Sequence, residues 1–165
     1  MLLLFVAGLV VSGLTAFPLR WELELLARML GVGEAAQPEQ YTGLLHWIAR
    51  VRNGLRDTYA AHPFLAYGTD WLAFAHLVIA VFFIGPLRDP VRNVWVIQAG
   101  MIACGLVIPL ASVCGPIREI PLSWRLIDCS FGVIGFVPLW LARNWTRDLA
   151  RHLTRSTAGS LDCRS

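Results

Sequence analysis

Four apolar runs govern what this chain can fold into: residues 2–17, 71–87, 94–115 and 126–142. A helix needs about 20 mostly apolar residues to cross the hydrocarbon core of a bilayer. The last three runs contain no arginine or lysine, and flanking residues would complete the two shorter ones. Hiding all four in one soluble core would demand far more polar surface than 165 residues supply. Only 15% of the residues are charged, against about 25% in soluble domains. An ordinary cytosolic domain, a disordered chain and a basic nucleic-acid module are excluded. The expected fold is an all-α integral membrane protein, a four-transmembrane-helix bundle with an extracytoplasmic amphipathic segment between spans 1 and 2.

The first run decides the topology. It begins Met1-Leu2-Leu3-Leu4 with no positive charge, and Leu14-Thr15-Ala16 is a poor cleavage site. A retained helix therefore fits better than a cleaved signal, which wants a basic start and an A-x-A-like end. Four spans put seven arginines on each side of the membrane. Proximity breaks the tie, because Arg143, Arg147 and Arg151 directly follow a span whereas Arg50, Arg52 and Arg56 are remote from any. Residues 1–142 are thus expected to form a single membrane domain, with 143–165 a cytoplasmic arginine-rich tail. Both termini would be cytoplasmic, in a plasma membrane of the bacterial inner-membrane type. The turn at Arg88, Asp89, Pro90 and Arg92 would be a tight cytoplasmic hairpin with both arginines at the headgroups.

Residues 18–68 form the only sizeable extramembrane segment, a helical cap. Leu19, Leu23, Leu26 and Leu30 mark one helical stripe, with Glu24 and Arg28 paired at i,i+4. Gly31-Val32-Gly33 ends that pattern. A second stripe follows at Tyr41, Leu44, Leu45, Ile48, Leu55 and Tyr59, opposite Arg50, Asn53 and Asp57. His46 is expected on the exposed polar face and His62 in a loop. The segment would lie on the lipid surface, cap the bundle, or act as a lid. In the tail, Arg143, Arg147, Arg151 and Arg155 recur every fourth residue beside Trp140 and Trp145. That ridge suits an orientation anchor on anionic lipid, and nothing beside it supports nucleic-acid binding.

Ionisable groups within spans are costly and demand a reason. His76 and Asp128 qualify, and small residues share their stripes: Ala73 and Ala80 with His76, Gly132 and Gly135 with Asp128. Gly100, Cys104 and Ala111 mark a third seam, and Gly8, Ser12 and Thr15 a fourth. An imidazole and a carboxylate in the outer half of the bundle would serve acid–base chemistry or hold a divalent metal such as Zn²⁺. Asp70, Glu22 and Arg118 would support them, with Glu119 nearby and Tyr67 and Trp124 as aromatic walls. Competing local roles are a helix cap by Thr69 and Asp70 and an i,i+3 ion pair between Arg125 and Asp128. Cys114 and Cys129 are the one pair placed for a disulfide; Cys104 suits packing, and Cys163 falls in the tail.

Nucleophile-elbow, P-loop, dinucleotide and zinc-protease motifs are absent from the sequence. The expected function is a small multi-pass membrane protein with a polar or metal site in the outer half of the bundle, as in a membrane enzyme. The alternative is a non-enzymatic accessory, assembly or lipid-interacting protein. Membrane lipids are the expected partners, with a homo-oligomer or a membrane partner as further candidates.

Overall fold

A computed structural model describes residues 1–162, with side chains as far as Arg155. Cys163 and Arg164 lie outside the described residues. All regular structure among the described residues is helical: α1 (Leu2–Ala16), α2 (Leu19–Met29), α3 (Gly43–Ala61), α4 (Ala66–Phe82), α5 (Ile84–Arg88), α6 (Val94–Ile117) and α7 (Leu122–Asp162). Short 3₁₀ turns at Pro38–Gln40 and Pro63–Leu65 introduce α3 and α4.

Three helical segments are long and apolar enough to cross a membrane: Pro63–Arg88, Val94–Ile117 and Leu122–Arg155. Helices α1 and α2 make a fourth candidate if counted together, but they bend by 93° at the break between them. Only 22%, 11% and 17% of the most apolar stretches of the three segments is buried within the protein. Large side chains such as Ile102, Leu106, Leu110, Phe131 and Ile134 face outward instead. Water would penalise that much apolar surface heavily, and hydrocarbon would not. A membrane location follows from the surface as well as from the sequence.

The segments outgrow the apolar runs that announce them. Helix α4 begins five residues before Trp71, because Pro63 starts a 3₁₀ turn that feeds straight into it. Thr69 and Asp70 are therefore inside the helix and do not cap it; the Thr69 hydroxyl donates to the Ala66 carbonyl at 2.7 Å. The hairpin before α6 is also more structured than a bare turn. Helix α5 precedes it, the Arg92 amide donates to Asp89 Oδ1, and the Asn93 side-chain amide donates to the Gly85 and Asp89 carbonyls. Helix α7 runs without a break from the fourth apolar run into the tail, which makes the arginine ridge helical.

The chain divides into two compact units. One, the cap unit, comprises Gly8–Ile79 and Pro121–Trp124. Its core is Leu23, Ala27, Val32, Ala36, Ile48 and Ala49, flanked by Tyr41, Leu45, Leu55 and Trp124. In α2 the buried pair is Leu23 and Ala27, one turn apart, while Leu26 and Leu30 are exposed, unlike in the expected stripe. The cause is the end of α2. Gly31 takes a left-handed φ of +76°, the Val32 amide reaches back to the Ala27 carbonyl, and the Gly31 amide to that of Arg28. This double closure folds Val32 over Ala27 and selects the buried face. In the same unit α1 meets α4 at Gly13, where a Cβ would stand 3.0 Å from the Ala73 carbonyl oxygen. The contact residue of α1 is thus Gly13; Gly8 has nothing within 4 Å and Ser12 is exposed.

The other, the seam unit, comprises Met1–Ala7, Ala80–Ile120 and the chain from Arg125. Small residues let its helices approach closely. A Cβ on Gly132 would lie 2.6 Å from the Cys104 carbonyl oxygen, and one on Gly135 3.1 Å from Cys104 Sγ. Phe83 packs on Gly100 and also on Phe5, at 4.9 Å between ring centroids. Ile97 and Leu139 are fully buried. Close backbone approach of this kind is how helices associate in lipid, where no hydrophobic drive between them exists.

Candidate functional site

Among the described residues the densest polar construction lies in the cap unit, around Arg52. Its side chain is only 3% exposed, which is costly for a charge unless every donor finds an acceptor. The guanidinium donates to the carbonyls of Gly33 at 2.8 Å, Ala36 at 3.2 Å and Val32 at 3.4 Å. Asn53 Oδ1 accepts from it at 3.1 Å, and the Asn53 amide turns back to the Ala36 carbonyl. These carbonyls belong to the loop that leaves α2. One arginine thus fastens the α2–α3 loop to the face of α3. His46 adds a second tie, with Nδ1 2.8 Å from the Pro38 carbonyl oxygen, so it is half-buried and not free on a polar face. Asn53 is likewise engaged.

Around this clamp the charges pair across the fold. Glu24 bonds Arg56 at 2.7 Å, and Arg28 bonds Glu34 at 2.6 Å. The expected Glu24–Arg28 pair is replaced by these longer-range partners. The Arg56 guanidinium beside Glu24 holds its carboxyl below the usual range, with Arg52 and Arg28 adding to the effect.

A cavity of about 550 Å³ opens where α1 turns into α2. Arg20, Glu24 and Arg28 line it from α2, Phe17, Pro18 and Trp21 from the elbow, and Tyr59, Ala66 and Thr69 from the facing elements. Tyr59 Oη lies 3.5 Å from Thr69 Oγ1. A second cavity of about 360 Å³ is rimmed by Glu34, Glu39, Asn53, Arg56 and Asp57.

The residues singled out for the outer-half site divide between the two units. His76, half-buried on α4, directs Nδ1 to the Leu72 carbonyl oxygen of its own helix at 2.8 Å. His76, Asp70 and Glu22 fall in the cap unit and make no hydrogen bond or ion pair with one another among the described residues. Asp128 and Arg118 fall in the seam unit. Arg118 closes α6 and is exposed. Asp128 is half-buried on α7 and makes no side-chain hydrogen bond or ion pair among the described residues. Its expected partner Arg125 lays its aliphatic stem over Gly115, and its buried Nε has no partner. Tyr67 is exposed and edge-on to Trp71, and Trp124 packs on the cap core. Cys114 and Cys129 are free thiols, as is Cys104. Among the described residues no group of three or more His, Cys, Asp or Glu is placed to hold a metal ion.

Sequence reasoning missed Arg52 and the elbow cavity. The signal for Arg52 was present: the α3 stripe steps from Ile48 to Leu55 and leaves position 52 in the gap. Compared with protein-family models, curated proteins and solved structures, the chain matches none.

Proposed function

We propose that this is a four-span plasma-membrane protein of the bacterial inner-membrane type, an accessory or assembly protein that works through lipid contact. Both termini are cytoplasmic, and the cap on α2 and α3 stands on the opposite side. One observation carries the reading. The buried guanidinium of the cap is consumed internally, by the Arg52 clamp, and its Glu24 carboxylate is paired with Arg56. Open surface includes the apolar helix faces, Arg20 on α2 and the basic ridge of Arg147, Arg151 and Arg155, of which Arg151 makes only an exposed 3.5 Å contact with Asp148. Those are the two chemistries that lipids answer, tails and anionic headgroups. A homo-oligomer or a membrane partner would use the same exposed apolar faces.

A second reading keeps an outer-half site on His76 and Asp128, with Asp70, Glu22 and Arg118 in support. It is favoured by Asp128, an ionisable group on an apolar helix with no side-chain partner among the described residues, because such groups usually earn their place by function. Zn²⁺ or another divalent ion would need ligands beyond that pair. Elemental and lipid analysis of the full chain in mild detergent separates the two. The lipid reading expects co-purifying phospholipid and no stoichiometric metal. Stoichiometric metal that disappears in His76→Ala would overturn it in favour of the site.

A further inference from the structure

We propose that the elbow cavity between α1 and α2 binds the phosphate of an anionic phospholipid headgroup, with Arg20 as its principal ligand and Arg28 beside it. The inference deepens the lipid reading above and rests on it. Its first support is placement. The apolar α1 ends at Ala16, the chain turns by 93°, and polar α2 begins. Phe17 and Trp21, both exposed at that turn, are the aromatic residues expected at headgroup depth. On the four-span reading the cavity opens where phosphates of one leaflet lie.

The second support is charge. Arg20 is exposed and makes no hydrogen bond or ion pair among the described residues. Arg28 holds only Glu34, with 62% and 66% of the two side chains exposed, a pairing that a phosphate can replace. The one carboxylate in the lining, Glu24, is already neutralised by Arg56. The lining thus offers unspent positive charge with guanidinium geometry, which suits phosphate oxygens. The third support is shape. The depression, about 550 Å³, is open to the outside, so a headgroup can enter it from the side, and the Tyr59 and Thr69 hydroxyls give neutral polar contacts for a glycerol headgroup.

The test uses the full chain in neutral detergent, titrated with dihexanoyl phosphatidylglycerol and followed by calorimetry. Saturable binding is expected, about tenfold weaker in Arg20→Gln, which removes a side chain that supports no other contact. Ala66→Leu narrows the cavity without changing charge and is expected to weaken binding as well. A ridge variant carrying Arg147→Gln and Arg151→Gln should bind as the parent does. Wild-type binding by both R20Q and A66L overturns the proposal. So does equal binding of dihexanoyl phosphatidylcholine, which would show no selection for net charge. Displacement by equimolar inorganic phosphate would make this a free-phosphate site and overturn the lipid assignment. If binding is lost only in the ridge variant, the cavity proposal falls while the broader lipid reading stands.

Discussion

The α2–α3 part of the cap unit and the seam unit solve the same problem, holding helices together, with opposite chemistry. In the cap unit a buried guanidinium collects three loop carbonyls and an asparagine oxygen. In the seam unit glycines meet backbone, ring or aliphatic stem at close range: Gly132 on Cys104, Gly100 on Phe83, Gly115 on Arg125. The difference follows from what each helix is solvated by. Helices α2 and α3 carry about as much polar as apolar surface, so long-range polar ties can hold them. Helices whose outer surface is apolar gain nothing from hiding it from lipid, so fit between backbones decides their packing.

Breaking the clamp should have the largest effect. Arg52→Met leaves the Val32, Gly33 and Ala36 carbonyls without their donor and should cost the cap about 3 kcal/mol. Limited proteolysis of the α2–α3 loop would report it, with cleavage appearing at 33–39 while α6 and α7 stay resistant. Arg52→Lys should recover only part, because an ammonium cannot span three carbonyls as a guanidinium fork does. Next comes the seam. Gly132→Ala drives a methyl into the Cys104 carbonyl, a backbone atom that cannot swing aside, and should cost about 2 kcal/mol in thermal unfolding in detergent. Gly105→Ala, on α6 next to Cys104 but with nothing within 4 Å, is the control. It should be neutral or stabilise by up to about 1 kcal/mol.

The smallest effect belongs to the Glu24–Arg56 pair, which is partly exposed. Its sign with pH is fixed. Arg56 lowers the Glu24 value, so the stabilisation is complete above the ordinary glutamate value of 4.5 and is lost as pH falls through the lower folded value. Cap stability should therefore decline slightly below about pH 4.5, and Glu24→Gln should remove that slope. An unchanged slope in E24Q would show that another carboxylate governs it.

The apolar runs were legible because lipid imposes a length and a polarity that composition alone displays. The small-residue stripes were legible for the same reason: Gly132, Gly135, Gly100, Cys104 and Ala73 all sit at helix contacts. The α1 stripe misled, since Gly8 and Ser12 satisfy the spacing but Gly13 makes the contact, and periodicity on an all-apolar helix does not say which side faces a neighbour. Charge pairing in the cap escaped because local i,i+4 geometry competes with partners up to 32 residues away, as Glu24 finds in Arg56. The Asp70 cap failed on a neighbouring signal, Pro63, whose fixed φ starts the helix earlier. Of the candidate site, the sequence identified the unusual ionisable groups but not their surroundings. His76 satisfies one nitrogen on its own helix, whereas Asp128 gains no side-chain partner among the described residues.

Hydrogen–deuterium exchange on the full chain in lipid nanodiscs, wild type beside Arg52→Met, tests the central contrast most directly. Protection is expected over α4, α6, the first half of α7 and the cap helices α2 and α3 in the wild type. In R52M the cap should lose protection while α6 and α7 keep theirs. A cap already unprotected in the wild type, or spans and cap losing protection together, would contradict the account.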